Sequence, residues 1–359
     1  MQGKKEKVGQ RFKRRSYLAA AGTTVTAGLA GCLGMLSGSD DYIRYLGWGG
    51  NTQDSAAEIF DRWSEESGVE VRHESAGGDV EFISYLQQNR GEVDLFLPSS
   101  YGIHLARQED LLAEVDHEEV PNYQENMKDD WQDMPYMEGD AFFRDALTQG
   151  YSVNGDEVDR EMGSWEDTKA DEFDGVLSLR DDAASRFTNA ALALGEDVNE
   201  IPDDDGLFDA VVEELEAQHE NVFGLWGSGA EAMQYLREEN ALVAEAWGGR
   251  TRALQQDGNE HIEYVIPDEG AATITEDYAI PVHSEKKETV YELLDFAYEH
   301  ENLVDISDML GYPVPVVDTP DVITDLPDYV DDPDNLAWVD WSIVDPVIDD
   351  WQETFDEIK

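Results

Sequence analysis

Glu92-Val93-Asp94-Leu95-Phe96-Leu97-Pro98-Ser99-Ser100-Tyr101 is the stretch on which the reading of this chain turns. Residues 93–97 form a short, mostly apolar run, which predicts a strand buried on both faces of a parallel sheet. Pro98 has no N–H to give to a ladder and ends that strand. Ser99, Ser100 and Tyr101 are then expected as the loop beyond its carboxyl end. In open α/β sheets ligands bind in the crevice outside those ends. Two hydroxyls and one amphipathic aromatic are groups that hold a solute; they do not break one.

The flanking sequence repeats the same grammar. Residues 42–46 read as a strand leaving into Gly47-Trp48-Gly49-Gly50-Asn51, followed by a helix over 54–67 that Gly68 ends. A strand over 69–73 and a helix over 79–89 complete a doubly wound pattern. Trp48 sits in a turn, where it serves either as a packed lid or as a ligand contact. A helix is expected over 103–113, and an extended run over 141–153 suits a first crossing into a second lobe near 148–152. After a strand over 176–179, Asp181 and Asp182 precede a helix starting at Ala183. Asp182 is a good N-cap, and one carboxylate of the pair is also placed to receive a cation. Residues 199–205 read as loop. A buried strand over 241–247 ends in Trp247-Gly248-Gly249-Arg250, so Trp247 repeats the setting of Trp48. Arg250 is either a surface ion pair or an anion contact. The return crossing is expected near Glu276-Asp277, and a single helix over 289–301. Gly311-Tyr312-Pro313 is a rigid turn, and the tail with Trp338, Trp341 and Trp351 a helix docked across the lobes.

The ends and the composition set the address. Lys4, Lys5, Lys7, Arg11, Lys13, Arg14 and Arg15 make a basic n-region, and Arg14-Arg15-Ser16-Tyr17-Leu18 looks like a twin-arginine export signal. Leu29-Ala30-Gly31-Cys32 resembles a lipoprotein cleavage box. Cys32 is the only cysteine, expected as a lipid anchor, with an incidental thiol beside a simple cleavable signal as the alternative. The formal net charge is −58. Acids spread along the whole chain and scarce lysine point to a very salty medium. There the Debye length is ~3 Å at molar salt and steering by charge is lost. Nucleic acid, which needs basic grooves, is excluded as a partner.

Searches for chemistry return little. No His/Cys spacing suits a metal, no nucleophile elbow is present, and no phosphate-binding glycine loop follows a strand. No cofactor is expected. Paired carboxylates arise by chance in so acidic a chain and carry no glycosidase reading.

Read in order, the motifs resemble one family. Tyr45-Leu46-Gly47-Trp48, the opening stretch, Val153-Asn154-Gly155-Asp156, Ser164-Trp165-Glu166-Asp167, Leu179-Arg180-Asp181-Asp182-Ala183, Ala246-Trp247-Gly248-Gly249, Asp277-Tyr278-Ala279 and Gly311-Tyr312-Pro313-Val314-Pro315 are similar to those of the spermidine/putrescine-binding proteins of ABC importers. The resemblance implies an α/β periplasmic-binding-protein type II fold, two doubly wound lobes joined by a hinge with the ligand cleft between. The expected division is signal 1–31, tether 32–41, first lobe 42–147 plus about 279–317, and second lobe 148–278 plus about 318–359. By resemblance the cleft aromatics fall on Trp48, Tyr101, Trp247 and Tyr312, the serine on Ser99, and the amine-binding carboxylates on Asp182 and Glu276. Asn51, Ser100, Asp181, Ser185, Arg250 and Asp277 are secondary candidates. Gly50, Asn51, Ser185 and Ile274 depart from the family pattern and remove part of its negative charge. The implied function is an exported, lipid-anchored, monomeric solute-binding subunit. It would deliver a polyamine to a membrane permease. A small zwitterion or an organic anion stays open as the solute, as does an enzyme or sensor on the same fold.

Overall fold

The computed structural model describes residues 42–132 and 134–359. The twin arginines, the tether and Cys32 lie outside the described residues. The strands are β1 (Tyr42–Trp48), β2 (Glu70–Ala76), β3 (Leu95–Phe96), β4 (Ala141–Gln149), β5 (Tyr151–Asn154), β6 (Leu177–Arg180), β7 (Val222–Trp226), β8 (Val243–Glu245), β9 (Ile262–Val265) and β10 (Ala272–Ala279). They form two five-stranded sheets, in the orders β2-β1-β3-β10-β4 and β7-β6-β8-β5-β9. In each, three parallel strands meet an antiparallel pair. Two doubly wound lobes are thus present, as the alternation of elements predicts.

The opening stretch behaves as a central strand should. Val93 to Pro98 are buried, and β3 is lengthened at both ends by Asp94 N–H to Arg44 O at 2.9 Å and Leu97 N–H to Leu46 O at 3.0 Å. Beyond it the structure corrects the expected loop. Ser99 caps the helix Ser100–Gln108, its Oγ accepting from the N–H groups of Tyr101 and Gly102, so Ser100 and Tyr101 occupy a first helical turn. A hydroxyl at that position satisfies donors that a helix start otherwise leaves orphaned.

Three further expectations are corrected. The return crossing lies at 266–271, not near Glu276, because β10 continues through Glu276 and Asp277, with a bulge between them, and pairs with β4 and β3. The first lobe therefore takes β10, and the second lobe's central segment ends before it. The expected single helix over 289–301 is two, Lys287–Ala297 and His300–Leu310, and residues 199–205 include a 3-10 turn, Val198–Asp203. The tail divides. Ile323 and Leu326 join the first lobe's core, while Val344, Trp351 and Phe355 join the second's. The helix Ile348–Ile358 docks by stacking Trp351 on Phe187, ring centroids 4.6 Å apart and nearly coplanar at 7°.

Two crossings are tied together at their base. The outgoing chain passes from β4 to β5 through Gly150, where a Cβ would stand 2.2 Å from the Val265 carbonyl oxygen. No side chain fits against that backbone, so only glycine allows the close approach. Asn189, fully buried on the helix Ala183–Ala193, donates to Gln149 O at 3.2 Å and to Glu245 Oε1 at 2.7 Å, and accepts from Ala272 N–H at 2.7 Å. One side chain of the second lobe thereby holds the last residue of β4 and the first of β10.

Candidate ligand-binding cleft

Between the sheets lies a cleft of about 710 Å³, within the range of small-molecule sites. Trp48 enters it from the end of β1, half-buried and edge-on to Phe82 with centroids 4.9 Å apart. Ser99 reaches its floor, yet its hydroxyl is committed: it donates to Asp79 Oδ2 at 2.6 Å while capping the helix. Asp79, which sequence reasoning missed, also accepts from Ser99 N–H at 3.0 Å. Burial pushes its carboxyl above the usual range although both Ser99 bonds pull it back. Tyr101 stands at the mouth. Its ring faces Trp341 of the tail at 4.4 Å and its hydroxyl donates to Asp345 at 3.1 Å. Ser100 Oγ accepts from Trp341 Nε1 at 3.2 Å, so the tail closes this side of the cleft from the second lobe.

The second-lobe wall is made where β6, β7 and β8 end. Asp182 caps the helix Ala183–Ala193 by accepting from Ser185 N–H at 2.9 Å, and lies 3.9 Å from the Arg180 guanidinium. Burial would raise its carboxyl, but Arg180 and the Ser185 contacts hold it below the usual range. The Arg180 guanidinium sits over the Trp247 ring, 4.8 Å from its centroid, and donates to Gln149 and, at 3.2 Å, to Ser185 Oγ. Trp247 also meets Trp226 edge-on at 5.2 Å. Arg250, exposed on the first turn of the helix Gly248–Gln256, lines the same wall.

Glu276 comes from the middle of β10, with Asp145 opposite it on β4. Both carboxylates hold the buried Arg144, Asp145 through a 2.6 Å bond to Nε. Burial, aided by the second carboxylate competing for one cation, pushes Glu276 up to about 8. Tyr312 follows Gly311, whose φ of 72° caps the helix His300–Leu310. A Cβ on Gly249 would stand 2.4 Å from the Tyr312 ring, so the second-lobe helix begins directly against it.

The cleft therefore gathers Trp48, Ser99, Tyr101, Asp182, Trp247, Glu276 and Tyr312, together with Ser100, Ser185 and Arg250. Three secondary candidates are elsewhere. Asn51 donates to Met309 O at 2.9 Å and lines a smaller neighbouring cavity of about 190 Å³ with Arg252 and Asp308. Asp181 accepts from Lys359 Nζ at 2.6 Å on the outer surface. Asp277 is fully buried, accepting from Tyr136 and Thr275. Besides Asp79, the lining residues the sequence reading missed include Thr52, Glu81, Arg180, Trp341 and Gln352. Arg180 carried a signal, the last residue of a strand directly before the Asp pair. Gln352 carried none. Among the described residues no group of His, Cys, Asp or Glu is arranged to hold a metal, and no helix is long and apolar enough to cross a membrane.

Comparison with known proteins agrees with this architecture. The family model for bacterial extracellular solute-binding proteins matches residues 58–337. The spermidine/putrescine-binding periplasmic protein of Escherichia coli is 26% identical over 261 residues, 72% of this chain and 73% of its own. Two solved structures superpose over 89% of this chain and 99% of theirs. One is a spermidine/putrescine ABC transporter substrate-binding protein of Streptococcus pneumoniae, with a TM-score of 0.78 at 19% identity. The other is the TpPotD lipoprotein of Treponema pallidum, with a TM-score of 0.77 at 16% identity. The fold is the periplasmic-binding-protein type II fold, and the chain belongs to the family of bacterial extracellular solute-binding proteins.

Proposed function

We propose that this chain is the solute-binding subunit of an ABC importer and that its solute is a small organic amine, the class that includes the polyamines, held between the lobes and handed to a membrane permease. The observation that carries the reading is the composition of the cleft: the aromatic residues Trp48, Tyr101, Trp247 and Tyr312 line it together with the acids Asp79, Glu81, Asp182 and Glu276. Aromatic faces attract ammonium groups by about 0.5–2 kcal/mol each, and carboxylates add charge-assisted hydrogen bonds. The relatives named for spermidine and putrescine support the same class. The protein acts by binding alone and as a monomer. It is exported through the twin-arginine signal and held at the outer face of the membrane by lipid on Cys32.

Thermal unfolding in molar KCl with putrescine and with spermidine tests the ligand class. A ligand that binds only the folded state stabilises it by RT ln(1 + [L]/Kd), about 2.7 kcal/mol at a hundredfold excess over Kd. A clear rise in Tm is expected with an amine, and its loss in Trp247→Ala. No rise with any amine would refute the reading. For the anchor, Cys32→Ala should move the protein from the membrane fraction to the medium; unchanged retention would remove lipid from that residue.

A further inference from the structure

The cleft holds two guanidiniums as well as its acids. Most arginines of this chain, from Arg44 to Arg252, grip a carboxylate, as expected where 82 acids face 24 basic residues. Arg250 does not: its guanidinium has no ion-pair or hydrogen-bond partner among the described residues, although it lines the cleft. A Cβ built on Gly229 would meet Trp247 Cζ3 at 2.9 Å and Arg250 Nε at 3.2 Å, so Arg250 lies along the tryptophan where the helix Gly229–Arg237 starts. Its charge is felt by Glu276 and Tyr312 across the cleft. Arg180 covers the same Trp247 ring, with its nearest carboxylate 3.9 Å away and its bonds made to neutral acceptors. The ring face that would receive an ammonium thus already carries a cation. A second ammonium brought to this wall would meet two like charges, that of Arg180 largely buried, which disfavours it. The helix Gly248–Gln256 also starts here without a side-chain cap, and its positive end favours an anion.

We propose that the solute carries a carboxylate as well as an amine, the carboxylate seated between Arg250 and Arg180 beside Trp247. This rests on the amine reading above. The ammonium goes to the first-lobe side of the cleft, where Asp79, Glu81 and Glu276 stand. The solute class is an amino acid with amine and carboxylate at opposite ends of a short chain, and a symmetrical diamine is disfavoured at one end.

Titration calorimetry in molar KCl with ω-aminobutyrate, ω-aminocaproate, putrescine, spermidine and succinate tests this, on the full mature protein and on Arg250→Gln. The Arg250 side chain is exposed and bonds nothing among the described residues, so the variant folds. The expected result is tighter binding of an ω-amino acid than of either polyamine. In Arg250→Gln that affinity should fall about ten- to hundredfold, the worth of a hydrogen bond to a charged group, with polyamine binding improved. Arg250→Glu should reverse the preference toward putrescine. Tight polyamine binding indifferent to Arg250 overturns the carboxylate while leaving the amine reading in place. Binding of succinate alone, or of none of the five, overturns both.

Discussion

Replacing Asn189 by Leu keeps the size of the side chain and removes every hydrogen bond it makes at the base of the crossings. Two of the bonds, to Gln149 O at 3.2 Å and from Ala272 N–H at 2.7 Å, are between neutral groups. The third, to Glu245 Oε1 at 2.7 Å, is to a carboxylate that also holds Arg186. Neutral bonds contribute about 0.5–1.5 kcal/mol each and a bond to a charged group about 1.5–3. The expected loss is therefore about 2.5–6 kcal/mol, a large share of the ~5–15 kcal/mol that stabilises an ordinary fold. Equilibrium urea unfolding in molar KCl measures it as a drop in midpoint at unchanged slope. Asn189→Asp should cost at least as much, because it keeps the acceptor for Ala272 but brings a second carboxylate beside Glu245. A loss below about 1 kcal/mol in the Leu variant, or an Asp variant more stable than it, would refute the idea that this side chain binds the crossings together.

Gly150→Ala should lower the Tm, since its new methyl meets the Val265 carbonyl at 2.2 Å and overpacking of this kind costs about 1–3 kcal/mol; an unchanged Tm would show that β9 yields freely. Glu276 keeps in the folded state a proton that the unfolded chain releases near its ordinary 4.5, and its folded value is about 8. The folded state binds more protons across that window, so this group's contribution to stability falls as pH rises from about 4.5 to 8 and is level above. Glu276→Gln should gain on the unmodified protein in Tm from pH 5 to pH 8; a constant difference would mean that Glu276 is ionised throughout. Arg252 of the second lobe holds Asp308 of the first at 2.6 Å across a partly exposed contact. Such a pair contributes about 0.2–1 kcal/mol, so Arg252→Ala should speed solute release in stopped flow by up to about fivefold, and an unchanged rate would separate the pair from closure.

The first-lobe alternation was legible because β1 and β3 are mostly apolar and helices end on cues such as Gly68. The crossing near residue 150 was legible too, since a long extended run meets a glycine there. What escaped has physical reasons. The middle of β10 looks like a crossing because Glu276 and Asp277 interrupt its apolar pattern, and only Arg144, Tyr136 and Thr275 explain how carboxylates stay buried there. Ser99 reads equally well as a loop hydroxyl or a helix cap, and which it is depends on how soon the helix begins. Asp79 and Arg180 look like ordinary charges at element ends until the sheets face each other. Trp341 and Gln352 reach the cleft only because the tail returns across both lobes, and no local pattern announces such a return.

That return gives the protein an optical property. Trp341 belongs to a segment fixed on the second lobe, yet its ring lies 4.4 Å from Tyr101 on the first, while Trp48 and Trp247 line opposite walls behind it. Excitation passing from Tyr101 to Trp341 falls steeply with separation, and the indole's emission colour follows how much water surrounds it. Opening the lobes changes both at one point. The unlabelled chain therefore reports its own movement by its ultraviolet fluorescence, and Trp341→Phe would silence the mouth while leaving the two wall indoles to report on occupancy.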